Sequence, residues 1–272
     1  MGVLDGKVAI VTGSARGIGR ATAELLSEQG ASVVINDLDA DVAEQTASEI
    51  AGETVVYGGD LTREGAPDEL VQTAIDAWGK VDIIVNNAGY TLDSVIQKMS
   101  DDQFQTMLDV HLIAPFRILR AAAEPIRLFA KKEAAEGKEV FRKVVNISSM
   151  SGTNGNAGQV NYSSAKAALV GMTKTMSKEW GRYKVNVNCV AFGFIDTRLT
   201  KPFDDPESKI VIEGKEVQAG VPGQTRAALS MVVPVGRAGT AEEAAGGIYL
   251  FCIPESNYVS GQVLLVGGGI ST

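Results

Sequence analysis

Lys7-Val8-Ala9-Ile10-Val11-Thr12-Gly13-Ser14-Ala15-Arg16-Gly17-Ile18-Gly19 sets a short β-branched run against a glycine-rich turn, and a helix-period segment, 18–28, follows directly. Glycines let a backbone turn tightly and come close to a pyrophosphate. The first turn of a following helix adds free N–H groups and the positive end of its dipole. The spacing Gly13-x-x-x-Gly17-x-Gly19 differs from the commoner G-x-G-x-x-G, and its weight comes from its place between the first strand and first helix. Gly13, Arg16, Gly17, Ile18 and Gly19 are therefore candidate nucleotide contacts.

The same alternation continues along the chain. Strand-like runs recur at 8–11, 33–35, 55–57, 83–85, 144–147, 185–190 and 263–266. Helix-period segments lie between them at 41–50, 68–77, 104–123, 160–180 and 241–251. Continuous apolar strands separated by helices predict an α/β protein with both sheet faces covered. The expected form is a Rossmann-type, doubly wound parallel sheet of about seven strands, with its ligand crevice outside the strand carboxyl ends. A length of 272 residues with 45% hydrophobic content suffices for one large core. No linker-like stretch interrupts it, so a single domain over 1–272 is expected.

Two stretches depart from this rhythm. The mixed charge run 131–139 reads as the solvated tip of a long helix. In 197–233, Lys209–Ile212 and Lys215–Gln218 flank Glu213-Gly214, the pattern of a small hairpin. A long segment after a strand's carboxyl end suits a lid over a site; a surface decoration is the plainer alternative.

Net charge is -8 and the pI is near 4.9, without the basic footprint of a nucleic-acid binder. The two cysteines, Cys189 and Cys252, have neither metal-ligand spacing nor a disulfide framework. Both read as buried free thiols of a reducing compartment, and no metal is expected. No apolar run reaches the ~18 residues of a membrane span. The first strand begins almost at once, so no secretory leader is expected ahead of it, and a cytoplasmic location is expected.

Asp37 closes the second expected strand, where a carboxylate accepts hydrogen bonds from an adenosine ribose. A 2′-phosphate there would meet like charge, and the next residue, Leu38, is not a base. NAD(H) is the expected cofactor. Arg16 argues more weakly for an extra phosphate, so NADP(H) stays open, and a turn acid or helix cap is the plain reading of Asp37.

Tyr162-Ser163-Ser164-Ala165-Lys166 puts a phenol and an amine at i and i+4, on one helix face. Tyrosine ordinarily titrates near ~10, and an adjacent ammonium lowers that value. Alone, such a pair is more often a surface contact. Ser149 upstream and the glycine-rich turn set it apart.

Thr12–Gly19, Asp60, Asn86-Asn87-Ala88-Gly89, Ser149, Tyr162 and Lys166 together resemble the short-chain dehydrogenase/reductase family, in order and from Lys7 to Gly269. The resemblance implies an NAD(P)-dependent oxidoreductase that moves a hydride between the nicotinamide and the carbinol carbon of a secondary alcohol or ketone. It implies that Asp60 and Leu61 border the adenine and that Asn87, Ala88 and Gly89 support the centre of the cofactor. Ile195 and Thr197 would orient the carboxamide. Ser149 would hold the substrate oxygen, and Tyr162 would exchange its proton and also contact the cofactor. Lys166 would bind the nicotinamide ribose and make the phenol more acidic.

Three positions depart from the family pattern. His111, the chain's single histidine, stands where asparagine is usual, either packing the helix or joining the proton relay. Phe192 replaces a proline before Gly193, and Val266-Gly267-Gly268-Gly269 lacks an acidic residue and is expected to serve packing or subunit contact.

The stretch 154–162 resembles the 3-oxoacyl carrier-protein reductase branch most closely. That branch implies fatty acid metabolism, with a 3-oxoacyl or 3-hydroxyacyl thioester of CoA or a carrier protein as substrate. Ile210, Val211, Ile212, Val217, Val221, Leu229 and Met231 supply an apolar set for an acyl chain, or for packing the lid. An alicyclic, steroid-like or polyol alcohol is the alternative substrate. A nucleotide-sensing protein without catalysis is the alternative of another class. The family further implies a homo-oligomer, a tetramer before a dimer, built through helices 104–127 and 160–180.

Overall fold

The computed structural model describes residues 2–201, 209–212, 215–218, 223–224 and 231–270. Its strands are β1 (Val8–Val11), β2 (Ser32–Asp37), β3 (Thr54–Gly58), β4 (Ile83–Asn86), β5 (Arg142–Ser149), β6 (Val185–Phe192), β7 (Lys209–Ile212), β8 (Lys215–Gln218) and β9 (Val263–Val266). Seven of them form one parallel sheet in the order β3-β2-β1-β4-β5-β6-β9, so every carboxyl end points to one rim. Chain order reverses between β1 and β4, and the connections leaving those strands part there to open a crevice.

The helices are α1 (Gly17–Glu28), α2 (Ala40–Glu49), α3 (Ala66–Trp78), α4 (Asp101–Leu108), α5 (Ala114–Ala135), α6 (Met150–Asn154), α7 (Val160–Trp180) and α8 (Ala241–Tyr249). They bury both faces of the sheet. Ala9 and Val11 pack with Leu26, Ala43 and Ile248 on one face, while Val8 and Ile10 pack with Leu70, Ile118 and Leu119 on the other. This is the two-residue alternation of a strand covered twice. The continuous apolar strands of the sequence follow from it.

Three elements differ from the expected pattern. The segment 104–123 is not one helix: α4 passes through a wide π-helical turn, Asp109–Ile113, before α5 begins. That turn carries His111 inward, where it is 2% exposed. The short helix α6 was not legible as a period. Ser149 starts it, its side chain accepting the N–H of Ser151.

The charge run is the third case. Glu133 does not join the solvated tip but takes both terminal nitrogens of the buried Arg142, at 2.8 and 2.6 Å. Arg142 Nε also donates to Val81 O at 3.2 Å. A guanidinium removed from water needs a carboxylate partner, and here it fixes the end of α5 to the amino end of β5.

The expected hairpin is present, with Ile210 opposite Val217 in the antiparallel pair β7–β8. Val221 and Leu229, expected in the apolar lid set, lie outside the described residues, and Met231 is exposed. Cys189 and Cys252 are buried free thiols. Among the described residues, no helix is long and apolar enough to cross a membrane.

Candidate active site

A cavity of about 960 Å³ opens at the crevice, and all the candidate residues line it. Gly13, Arg16, Gly17, Ile18, Gly19, Asp37, Leu38, Asp60 and Leu61 form one end; Asn87, Ala88 and Gly89 lie between it and Ser149, Tyr162, Lys166 and His111; Ile195 and Thr197 complete the wall.

The nucleotide end is built on close backbone approach. A side chain at Gly13 would stand 2.8 Å from Ala88 Cα, and one at Gly19 would stand 2.1 Å from Gly13 O. Gly17, with φ of 55°, has nothing nearer than Thr197 at 3.9 Å where a side chain would be. The loop is therefore open to the cavity there. The first turn of α1 carries no side-chain cap and no acidic residue, which suits an anion on its free N–H groups. Asn87 braces this loop, donating from Nδ2 to Thr12 O at 2.9 Å and Gly13 O at 3.2 Å. The Thr12 hydroxyl in turn accepts the N–H groups of Asn87 and Ala88, each at 2.9 Å.

Three carboxylates mark the far end. Asp37 accepts the N–H groups of Ala15 and Asp39, both at 3.3 Å. Asp60 accepts the N–H and hydroxyl of Thr62 at 2.8 Å. Arg16 leans on Asp39 at 3.5 Å, which partly neutralises the cation that argued for a second phosphate. These residues fit a nicotinamide dinucleotide: the glycine loop and α1 would hold its pyrophosphate, and Asp37 would face its adenosine ribose.

At the other end, Tyr162 and Lys166 lie on α7 and Ser149 ends β5. Ser149 is hydrogen-bonded to the Tyr162 hydroxyl. The expected acidified phenol is corrected here. Burial pushes Tyr162 up to about 12; the Ser149 hydrogen bond opposes that rise and the charge of Asp93 adds to it. Lys166 does not reach the phenol oxygen. Its ammonium donates to Ile147 O at 2.6 Å and lies 5.6 Å from the centre of the Tyr162 ring. Burial lowers Lys166 itself to about 8. The phenol is thus protonated at neutral pH.

His111 faces the same pair. Its Nε2 meets Tyr90 O at 2.6 Å, which requires the proton on Nε2. Its Nδ1 is buried with no hydrogen-bond partner. Burial, then the charge of Lys166, hold the imidazole well below its usual range, so it is neutral. Gly89 makes room for it, since a side chain there would stand 2.0 Å from His111 Cε1. Phe192 is buried, and the turn after it is held by β9: Gly193 N–H donates to Val266 O at 2.9 Å. A side chain at Gly193 would meet Gly267 Cα at 2.8 Å, which gives the glycine tail its packing role.

Sequence reasoning missed Tyr90, Thr91, Asp93, Ser151, Asn156 and Gln159, which also line the cavity. Gln159 lay inside a quoted motif, but nothing local pairs it with Asp93, 66 residues upstream.

A glycine cradle at the switch point, with a serine–tyrosine–lysine set beside it, defines a nicotinamide-dependent oxidoreductase acting on a CH–OH or ketone group. The short chain dehydrogenase family model matches residues 7–208, and the chain belongs to that family. Among its relatives, the 3-oxoacyl-acyl-carrier-protein reductase of Vibrio harveyi is 37% identical over 98% of both chains. The enzyme of the same name from Chlamydia trachomatis is 35% identical over 99% of both. That from Thermotoga maritima is 32% identical over 98% of both.

Proposed function

We propose that this enzyme reduces the 3-oxo group of an acyl thioester, carried on CoA or a carrier protein, with NADH preferred to NADPH. The observation that carries the reading is the protonated Tyr162 hydroxyl hydrogen-bonded to Ser149 in the dinucleotide cavity. The hydride for C3 would come from a reduced nicotinamide held in this cavity. Ser149 and Tyr162 donate hydrogen bonds to the ketone oxygen, where negative charge develops. Tyr162 then gives up its proton, completing the alcohol. The buried Lys166 ammonium, beneath the ring, favours the phenolate as it forms. His111, neutral and edge-on to Tyr162, holds the ring in place.

A phenol pushed up to about 12 rests protonated at neutral pH, the form that reduction requires of it. The names of the relatives support the thioester. Asp37 beside the adenosine end, with Arg16 turned to Asp39, supports NADH. The segment 197–233 belongs to the proposal as a lid. Assembly as a tetramer and a cytoplasmic location belong to it as well, and the exposed Phe116 and Leu128 on α5 support contact with a second copy.

Initial rates with acetoacetyl-CoA, cyclic ketones and sugar-derived ketones, each with NADH and NADPH, test the reading. No turnover of any 3-oxoacyl thioester removes the substrate assignment. A higher kcat/KM with NADPH removes the cofactor preference.

A further inference from the structure

Asp93 and Gln159 stand on two separate loops at the Tyr162 end of the cavity, and the chemistry above uses neither. Gln159 Nε2 donates to Asp93 Oδ2 at 2.7 Å. Gln159 Oε1 accepts from Ser151 Oγ at 2.9 Å and from Asn156 Nδ2 at 3.0 Å. A backbone bond runs beside this clamp, from Ser94 N–H to Gly158 O at 2.8 Å. Ser151 completes the connection, its N–H donating to Ser149 Oγ at 3.1 Å. The Asp93 carboxylate is therefore tethered, through Gln159 and Ser151, to the serine that faces the substrate oxygen.

Two opposite charges stand beside Tyr162 at this end of the cavity, the Lys166 ammonium and the Asp93 carboxylate. Arg16, Asp37, Asp39 and Asp60 belong to the nucleotide end, and Arg198 sits on the turn after Thr197. The Lys166 ammonium is occupied with Ile147 O beneath the ring. Neutral His111 adds no charge. Asp93 is the acidic side chain beside Tyr162, and its charge works against an anion at that hydroxyl. A second anion set against Tyr162 meets the same field. Asp93 is exposed to solvent on one side; partial desolvation on the cavity side raises its carboxyl, while hydrogen bonds from Gln159 and Thr91 favour its ionised form.

We propose that Asp93 is a specificity-determining residue that makes the site take a 3-oxo acid masked as a neutral ester or thioester and turn away the free acid. The proposal rests on the 3-oxoacyl reading above. With the C3 carbonyl on Ser149 and Tyr162, C1 is one methylene away. An ionised C1 carboxyl brings its charge into the end of the cavity that Asp93 lines; a thioester there brings none. The clamp keeps Asp93 from swinging out to relieve the repulsion.

The test compares kcat/KM for ethyl acetoacetate and acetoacetate in the wild-type enzyme and in Asp93→Asn, which keeps an acceptor for Gln159. The wild type favours the ester, and Asp93→Asn narrows the ester-to-acid ratio about tenfold, the scale of one unit charge at a partly solvated distance. Gln159→Leu, which frees the carboxylate to move, narrows it less. An unchanged ratio in Asp93→Asn, or an equal loss on both substrates, overturns the filter. If neither acetoacetate nor its ester is turned over, the thioester reading falls, and the filter is read by competition. Against whichever ketone the screen yields, the Ki of acetoacetate relative to acetoacetamide drops about tenfold in Asp93→Asn; an unmoved Ki ratio overturns the proposal.

Discussion

His111 stands edge-on to Tyr162, the ring centres 4.9 Å apart and the planes at 87°. The imidazole is pinned from the opposite side by Tyr90 O and lies against the backbone of Gly89. It is thus a rigid, uncharged wall for the ring whose hydroxyl is proposed to react. Edge-to-face packing of this kind holds a ring's orientation at little cost.

Removing that hydroxyl isolates its part in the chemistry. Tyr162→Phe keeps the contact with His111 and is expected to lower kcat for ketone reduction by about 10²–10⁴-fold, the usual worth of a positioned acid. NADH affinity, read by fluorescence titration, is expected to stay within about twofold, since uniform cofactor binding does not require the phenol.

The pH dependence follows from three groups. Lys166 titrates at about 8, and Tyr162 at about 12. Reduction is expected to decline as pH rises through about 8, when the ammonium beneath the ring is lost, while the phenol keeps its proton throughout. No limb is expected near ~6.5, the ordinary imidazole range, because burial keeps His111 neutral. A kcat/KM profile for the wild type and His111→Asn checks this, and a limb near ~6.5 present only in the wild type would show a titrating imidazole.

Cofactor choice turns on the carboxylates around Arg16. Asp37→Ser combined with Asp39→Asn removes like charge from the ribose end and releases Arg16. The ratio of kcat/KM for NADPH to that for NADH is expected to rise about 10–100-fold, as for removal of a repulsive element from a selective site.

Arg142 lies at the amino end of the sheet, away from the cavity lining. Arg142→Ala leaves Glu133 without its partner and opens a space beneath Phe129. A loss of about 3–5 kcal/mol in urea unfolding is expected, as for breaking a buried ion pair. The kcat of the folded enzyme should change by less than about twofold, because no residue of the chemistry contacts Arg142.

The sheet and its crevice were legible because their causes are local. A strand covered on both faces must be apolar at every position, as in Val8–Val11 and Val85, and the glycines of 13–19 follow that strand directly, with Gly19 set against Gly13 O of the same turn. Many of the candidate site residues were legible for the same reason, lying just past a strand end, in the first turn of α1 or on α7, whereas His111 sits on the π-helical turn. What the sequence concealed depends on long-range placement. The phenol's acidity was misjudged because i,i+4 spacing does not say how deeply the Tyr162 ring is buried. Glu133 looked solvated because its partner comes from the next strand, and Asp93 was silent until Gln159 was seen to hold it.

The wide turn Asp109–Ile113 sets the phase of everything after it. A π-helical turn is one residue longer than the α-helical turn it replaces, and each residue of an α-helix advances by about 100°. Deleting a single residue within it would let α4 and α5 wind as one uninterrupted rod and rotate the whole of α5 by that angle. Ile118 and Leu119 would swing off the sheet, and the imidazole would leave its seat over Gly89. An irregularity of one residue thus couples the placement of a ring beside the reacting hydroxyl to the packing of a helix that spans the domain, and neither can be adjusted alone.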